Sequence, residues 1–324
     1  MALDLLKKVD FGKGLFAIEK VALIYNLLTS ILILFLYQEM DHPMRMIVER
    51  IAIAALTFAL MYLYRIYPCK LAAFIRTAVQ MALLSYWYPD TFEFNRVFPN
   101  LDHIFASAEQ WLFGCQPAIE FSAAMPHLWV SEPLNLGYFF YYPMMLIIIL
   151  WYFLNRFELL EKVAFVIVAS FFIYYFVYIF VPVAGPQFYF PAIGEVNLTK
   201  GIFPAIGDYF HYNYQLLPDN AYEHGFFYQL VENSQQVGER PTAAFPSSHV
   251  GISTILMIMA WRGSKKLFAC LMPFYLLLCC ATVYIQAHYL IDAIAGFISA
   301  FVLYVVVTWM FKRWFASKFF EGYQ

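Results

Sequence analysis

Two short polar clusters interrupt a chain that is otherwise apolar: Phe245-Pro246-Ser247-Ser248-His249 and His288-Tyr289-Leu290-Ile291-Asp292. His288 and Asp292 are four residues apart, so on a helix they share one face. A carboxylate beside one imidazole nitrogen sets the tautomer and leaves the other nitrogen available as nucleophile or base. Ser247 and Ser248 stand where an apolar run begins, the place of a helix N-cap, and a helix N-terminus attracts an anion such as phosphate. His249, one residue on, can protonate a leaving oxygen. Arg240, just upstream, is a further candidate for holding phosphate. Nucleophile, orienting acid, anion cradle and proton donor together describe phosphoryl transfer through a covalent phosphohistidine. Singly, each group has a bland reading: an interfacial histidine, an ordinary cap, a paired boundary aspartate. It is their combination on one side of a membrane that favours chemistry.

The elements that must position these clusters are membrane helices. Of 324 residues, 63% are hydrophobic and 13% charged, about half the charged share of a soluble domain, roughly 25%. Phe and Tyr are abundant, as suits rings at a headgroup boundary. A formal net charge of -2 gives no reason to expect nucleic acid. A span needs roughly 20 apolar residues, and candidates fall at 21–38, 47–64, 69–88, 136–154, 162–182, 248–262, 267–287 and 288–311. The expected fold is all-α, a polytopic transmembrane bundle of about eight spans. Arg76 sits inside the third candidate and is expected to pair with an acid in the bundle or with a lipid phosphate. With eight spans the Lys and Arg residues divide fourteen to five between the two sides, Arg76 excepted. The positive-inside rule then places both termini in the cytoplasm and both polar clusters at the periplasmic or lumenal boundary. The hairpin of 248–262 and 267–287 joins the clusters, so His249 and His288 can face each other.

Residues 89–135 and 183–247 become outer caps, the second rich in Pro, Gly and Tyr. In it, Asp208 to Gln215 brings phenols and His211 near the proposed site, where aromatic faces suit a polyol headgroup; Gln187 and Tyr289 are further candidates for headgroup contact. Asn197-Leu198-Thr199 matches a glycosylation acceptor. The five cysteines (Cys69, Cys115, Cys270, Cys279, Cys280) show neither a disulfide framework nor zinc-ligand spacing. Lys7, Lys8, Lys13 and Lys20 precede the first apolar run without a cleavage signal behind it, so that run is expected to remain as a span.

The pairing of FPSSH with HYLID resembles the phosphatidic acid phosphatase type 2 superfamily, and more closely its inositol phosphorylceramide synthase and sphingomyelin synthase-like branch. The resemblance implies a proton-donating His249 with Ser247, and a nucleophilic His288 with its Asp292. It also implies a six-helix catalytic core, placed on 136–311. Two parts follow: residues 1–135, N-terminal membrane helices and an outer amphipathic loop, and residues 136–324, the catalytic core. The chain departs from the lipid phosphatases of that superfamily at two places. Thr282 stands where they carry an Arg, and the Ala184–Pro191 stretch has Gln187 and no cation. Fewer cations suit a phosphodiester, which bears one negative charge, better than a phosphomonoester, which approaches two. Arg240 and Lys200 are the possible substitutes.

The expected function is therefore a lipid phosphotransferase that moves a phospho-headgroup from a phospholipid donor to a lipid alcohol such as ceramide, with no metal or other cofactor. A lipid phosphatase using water is the nearest rival. A transporter or scaffold, and a haem or metal protein with His249 and His288 as ligands, are the others.

Overall fold

A computed structural model describes residues 5–9, 12, 14–213 and 225–315. Lys13 and Lys318 of the charge count, and residues 214–224 of the tyrosine-rich cap, lie outside them. Among the described residues the chain is helical, with no strand. In chain order the helices are α1 (Ala17–Phe35), α2 (Pro43–Ile66), α3 (Lys70–Ala82), α4 (Leu84–Asn95), α5 (Asp102–Phe113), α6 (Pro117–Ala124), α7 (Leu128–Phe139) and α8 (Tyr141–Asn155). There follow α9 (Leu160–Phe180), α10 (Pro186–Ile193), α11 (Glu195–Thr199), α12 (Tyr209–Tyr212), α13 (Phe226–Gly238), α14 (Ser248–Gly263), α15 (Lys265–Tyr284) and α16 (Leu290–Met310).

Helical segments occur at all eight expected places, but not all can cross a bilayer unaided. Among the described residues, five stretches are long and apolar enough: Ala17–Phe35, Pro43–Ile66, Phe157–Phe180, Lys265–Tyr284 and Leu290–Phe315. A sixth results if α7 and α8, bent by 43° at Phe140, form one span. The count of eight thus narrows to five or six by length and composition, and these helices mark an integral membrane protein. The candidate at 69–88 breaks at Leu83 into two short helices. Helix α14 has 16 residues, about 24 Å at 1.5 Å per residue, short of the roughly 30 Å hydrocarbon core.

The chain divides into two compact units. The first comprises Met1–Tyr86, Ile149–Phe172 and Leu303–Gln324. Its polar centre is Arg76, which is buried and donates through Nε to Glu19 Oε1 at 2.7 Å, and through Nη2 to Glu19 Oε2 and to the Gly14 carbonyl. The guanidinium also stacks 3.6 Å over Phe16. Arg76 therefore has the structural role, pairing with an acid in the bundle. Glu19 accepts from the Phe16 N–H, and Glu161 from the Ala17 N–H, so two carboxylates satisfy the orphan donors at the start of α1.

The second unit, Trp87–Ile148 and Ile173–Val302, holds both polar clusters. One of its cores joins α7, α13 and α15 through Leu134, Tyr138, Val231, Ala281 and Tyr284. Another gathers Ala106, Val183, Tyr189, Phe190, Ala244 and Tyr289. Helix α14 starts where Ser247, as N-cap, accepts from the Val250 N–H at 3.3 Å, a cap worth about 1 kcal/mol.

Candidate active site

The two clusters meet within the second unit. The Ser247 N–H donates to the Asp292 carbonyl at 3.0 Å, which locks the start of α14 against the first turn of α16. Gly296, one turn further along α16, lets the backbones close: a Cβ there would stand 2.3 Å from the Ser247 carbonyl oxygen. His288 Nε2 and His249 Nδ1 then lie 3.5 Å apart. The His249 ring stacks on Tyr138 and lies tilted against Tyr141, with centroids 4.6 Å from each, and aromatic packing of this kind restrains ring orientation.

His288 lies in the turn before α16 and is buried. Its Nδ1 is 2.8 Å from the Ala244 carbonyl oxygen. A carbonyl only accepts, so Nδ1 carries the proton, and the Nε2 lone pair is the one turned toward His249. The four-residue spacing is not helical here, because α16 begins after His288. Asp292 Oδ2 is 3.8 Å from His288 Nδ1, in range for ion pairing and too long for a hydrogen bond. Its shorter bond, 2.9 Å, is to the Tyr289 N–H, the way an acid at the third helical position caps its own helix. The orienting hydrogen bond on His288 thus comes from Ala244, and the carboxylate lies behind it. Burial pushes His288 down to about 4, against the Ala244 bond and the charge of Glu239, which both pull upward. The ring is neutral at physiological pH.

The remaining expected residues divide. Ser247 and Ser248 are buried. Ser247 spends its oxygen on the cap, and the Ser248 N–H donates to the Tyr178 hydroxyl at 3.0 Å. With the Ser247 and Val250 N–H groups also engaged, much of the α14 N-terminus already has partners. Gln187 reaches the neighbourhood of the histidines: its Nε2 donates to Glu239 Oε1 at 2.6 Å, and the charge of Glu239 acts on His288. Arg240 donates to the Glu239 carbonyl at 2.8 Å. Tyr289 was expected at a headgroup and is placed in the interior. It is fully buried, and its hydroxyl donates to Asp102 Oδ1 at 3.0 Å. His211 sits on α12, whose Phe210 packs with Ala184 and Phe188, and its ring contacts Tyr212 at 5.9 Å. Thr282 is buried in α15 with its hydroxyl bonded to the Cys279 carbonyl, while its own carbonyl accepts from the His288 N–H at 3.0 Å.

Three acids went unseen in sequence. Glu239 stands beside Arg240; burial raises its carboxyl above the ordinary value, opposed by the Gln187 bond and by His288. Glu109 accepts from the Ile291 N–H at 3.2 Å, and burial pushes it to about 7. Asp102 is fully buried in the first turn of α5. Asp102 and Glu109 stand seven positions apart, two turns along the same face of α5, and a pair of acids on the inner face of an otherwise amphipathic helix was the available signal.

A family model described as the PAP2 superfamily matches residues 102–306, a stretch that contains every residue of this site and begins ahead of position 136. No curated protein and no solved structure gives a significant match.

Proposed function

The chain belongs to the PAP2 superfamily, whose members are generally phosphatases and phosphotransferases, and on that premise we propose that it is a phosphotransferase acting on a phosphodiester lipid. The observation that carries the reading is the His288 tautomer, with Nδ1 bound to Ala244 and the Nε2 lone pair aimed at His249. In this scheme Nε2 attacks phosphorus and the N–P bond forms. The P–O bond to a diacylglycerol-type alcohol breaks as His249 protonates the departing oxygen. A ceramide-like hydroxyl then attacks phosphorus, His249 takes its proton, and the N–P bond breaks. The phosphoryl group enters between the two imidazoles, so the 3.5 Å contact must open when the donor binds. Asp292 stabilises the imidazolium character that develops on His288.

Charge supports a diester donor. Gln187 and Glu239 stand near His288, and Arg240 is engaged with a backbone carbonyl. A dianionic headgroup is disfavoured in such surroundings at low dielectric. The site faces the periplasmic or lumenal side in this reading, by the distribution of Lys and Arg. The test is incubation of the purified protein with headgroup-labelled phosphatidylinositol, with and without ceramide. Label appearing on ceramide supports transfer. Release of water-soluble phosphoinositol in both arms, or faster turnover of phosphatidic acid than of any diester, assigns it to the phosphatases.

A further inference from the structure

Asp102 is buried at the first turn of α5 and belongs to none of the reacting groups. Its carboxylate accepts four hydrogen bonds: from the Ala184 N–H at 2.6 Å, the Asn100 amide at 2.6 Å, the Gly185 N–H at 2.8 Å and the Tyr289 hydroxyl at 3.0 Å. A carboxylate offers about four lone-pair sites, so all are filled. Two short routes lead from these donors to His288. In one, Tyr289 follows His288 directly in the chain. In the other, the clamped 184–185 turn presents the Val183 carbonyl to the Ala244 N–H at 3.0 Å, and the Ala244 carbonyl holds His288 Nδ1 at 2.8 Å.

The backbone along the second route is held in conformations that need support. Gly185 has φ +94°, and a Cβ there would meet the Ala287 carbonyl oxygen at 2.7 Å. Ala243 has φ +70° and Gln286 has φ +62°, both uncommon for residues other than glycine and held only where neighbours over-determine them. The Gln187 N–H donates to the Gln286 carbonyl at 2.9 Å, tying the turn after Gly185 to the turn before His288. Asp102 is where this network ends on a side chain.

We propose that Asp102 is a positioning residue that holds His288 in its Nδ1–H tautomer by fixing the 183–185 turn and Tyr289 together. The inference rests on the reading of His288 as nucleophile for its effect on turnover, while its effect on the ring can be measured without any substrate. In Asp102→Asn the shape is kept, but an amide NH2 replaces one acceptor and meets a donor. The Ala244 carbonyl then shifts, and Nδ1 of His288 loses its fixed acceptor.

The test is the 15N spectrum of histidine-labelled protein in detergent, with the His288 signal assigned by its loss in His288→Gln, combined with steady-state kinetics on labelled phosphatidylinositol. The expected result is a single Nδ1–H tautomer in the wild type and a mixture in Asp102→Asn. Turnover should fall about ten- to a hundredfold, the size a positioning error approaching 1 Å costs, with KM little changed. Tyr289→Phe removes one of the four bonds and keeps the packing. It should remain folded and show a smaller change of the same kind in both readouts, which covers the case in which Asp102→Asn does not fold. An unchanged His288 tautomer in folded Asp102→Asn or Tyr289→Phe overturns the proposal. If the wild type transfers no phosphoryl group but the tautomer still shifts, the positioning role stands and only the assigned reaction falls.

Discussion

Gly296→Ala isolates the contact that sets the distance between the two histidines. The new Cβ would sit 2.3 Å from the Ser247 carbonyl oxygen, against 3.4 Å for ordinary contact. The opposing atom is backbone and cannot rotate away, so α16 and the start of α14 must separate by about 1 Å, a displacement of the size that costs roughly 10²-fold in rate. The stability effect is smaller because two contributions oppose. Overpacking costs about 1–3 kcal/mol, while replacing a mid-helix glycine by alanine returns roughly 0.5–1 kcal/mol. The variant should therefore fold, melt a few degrees below wild type and turn over labelled phosphatidylinositol about a hundredfold more slowly. Gly14→Ala, where no atom lies within 4 Å of the added Cβ, is the control and should match wild type in both. Wild-type turnover by folded Gly296→Ala would refute the claim that this close approach sets the geometry of the histidine pair.

Four further outcomes are expected. Because His288 is pushed down to about 4, activity should persist at pH 5, where an ordinary histidine near 6.5 is mostly protonated. An acid limb near 6.5 would contradict the buried, neutral ring. For the same group the folded pKa lies below the unfolded one, so its contribution to stability is present above about 6.5 and lost as pH falls toward 4. The difference in melting temperature between wild type and His288→Gln should follow that window. In the first unit, Arg76→Met leaves Glu19 as a buried unpaired charge, costing about 3–5 kcal/mol, and the double variant Arg76→Met/Glu19→Gln should recover most of the loss in thermal unfolding. Finally, Val196→Cys, 66% exposed on α11, should react with an impermeant maleimide from outside intact cells; reaction only after permeabilisation would place the site in the cytoplasm.

That the FPSSH and HYLID clusters meet was readable from the short hairpin joining them, and His249 and His288 do lie 3.5 Å apart. The bond that orients His288 was not readable. Its acceptor is the carbonyl of Ala244, and a backbone oxygen leaves no trace in residue identity. Asp292 looked like the partner because its spacing from His288 suits a helix, but the helix starts two residues after the histidine and the acid caps it instead. Tyr289 looked like a headgroup ligand because polar tips at a boundary usually face water, whereas a buried carboxylate far upstream in the chain claims its hydroxyl. Asp102 and Glu109 could not be tied to α16 from sequence, since nothing local reports contacts across so many residues. Arg76 was legible as a buried charge needing an acid, though not that the acid would be Glu19.

Phosphoryl transfer through His288 requires a covalent phosphohistidine. The purified protein should be incubated with phosphatidylinositol carrying 32P, without acceptor, quenched in alkali and digested. Acid-labile, alkali-stable label is expected on the peptide containing His288. The label should be absent in His288→Gln and discharged in wild type on adding ceramide before the quench. Transfer to ceramide with no labelled His288 peptide, or full transfer by His288→Gln, would contradict that route.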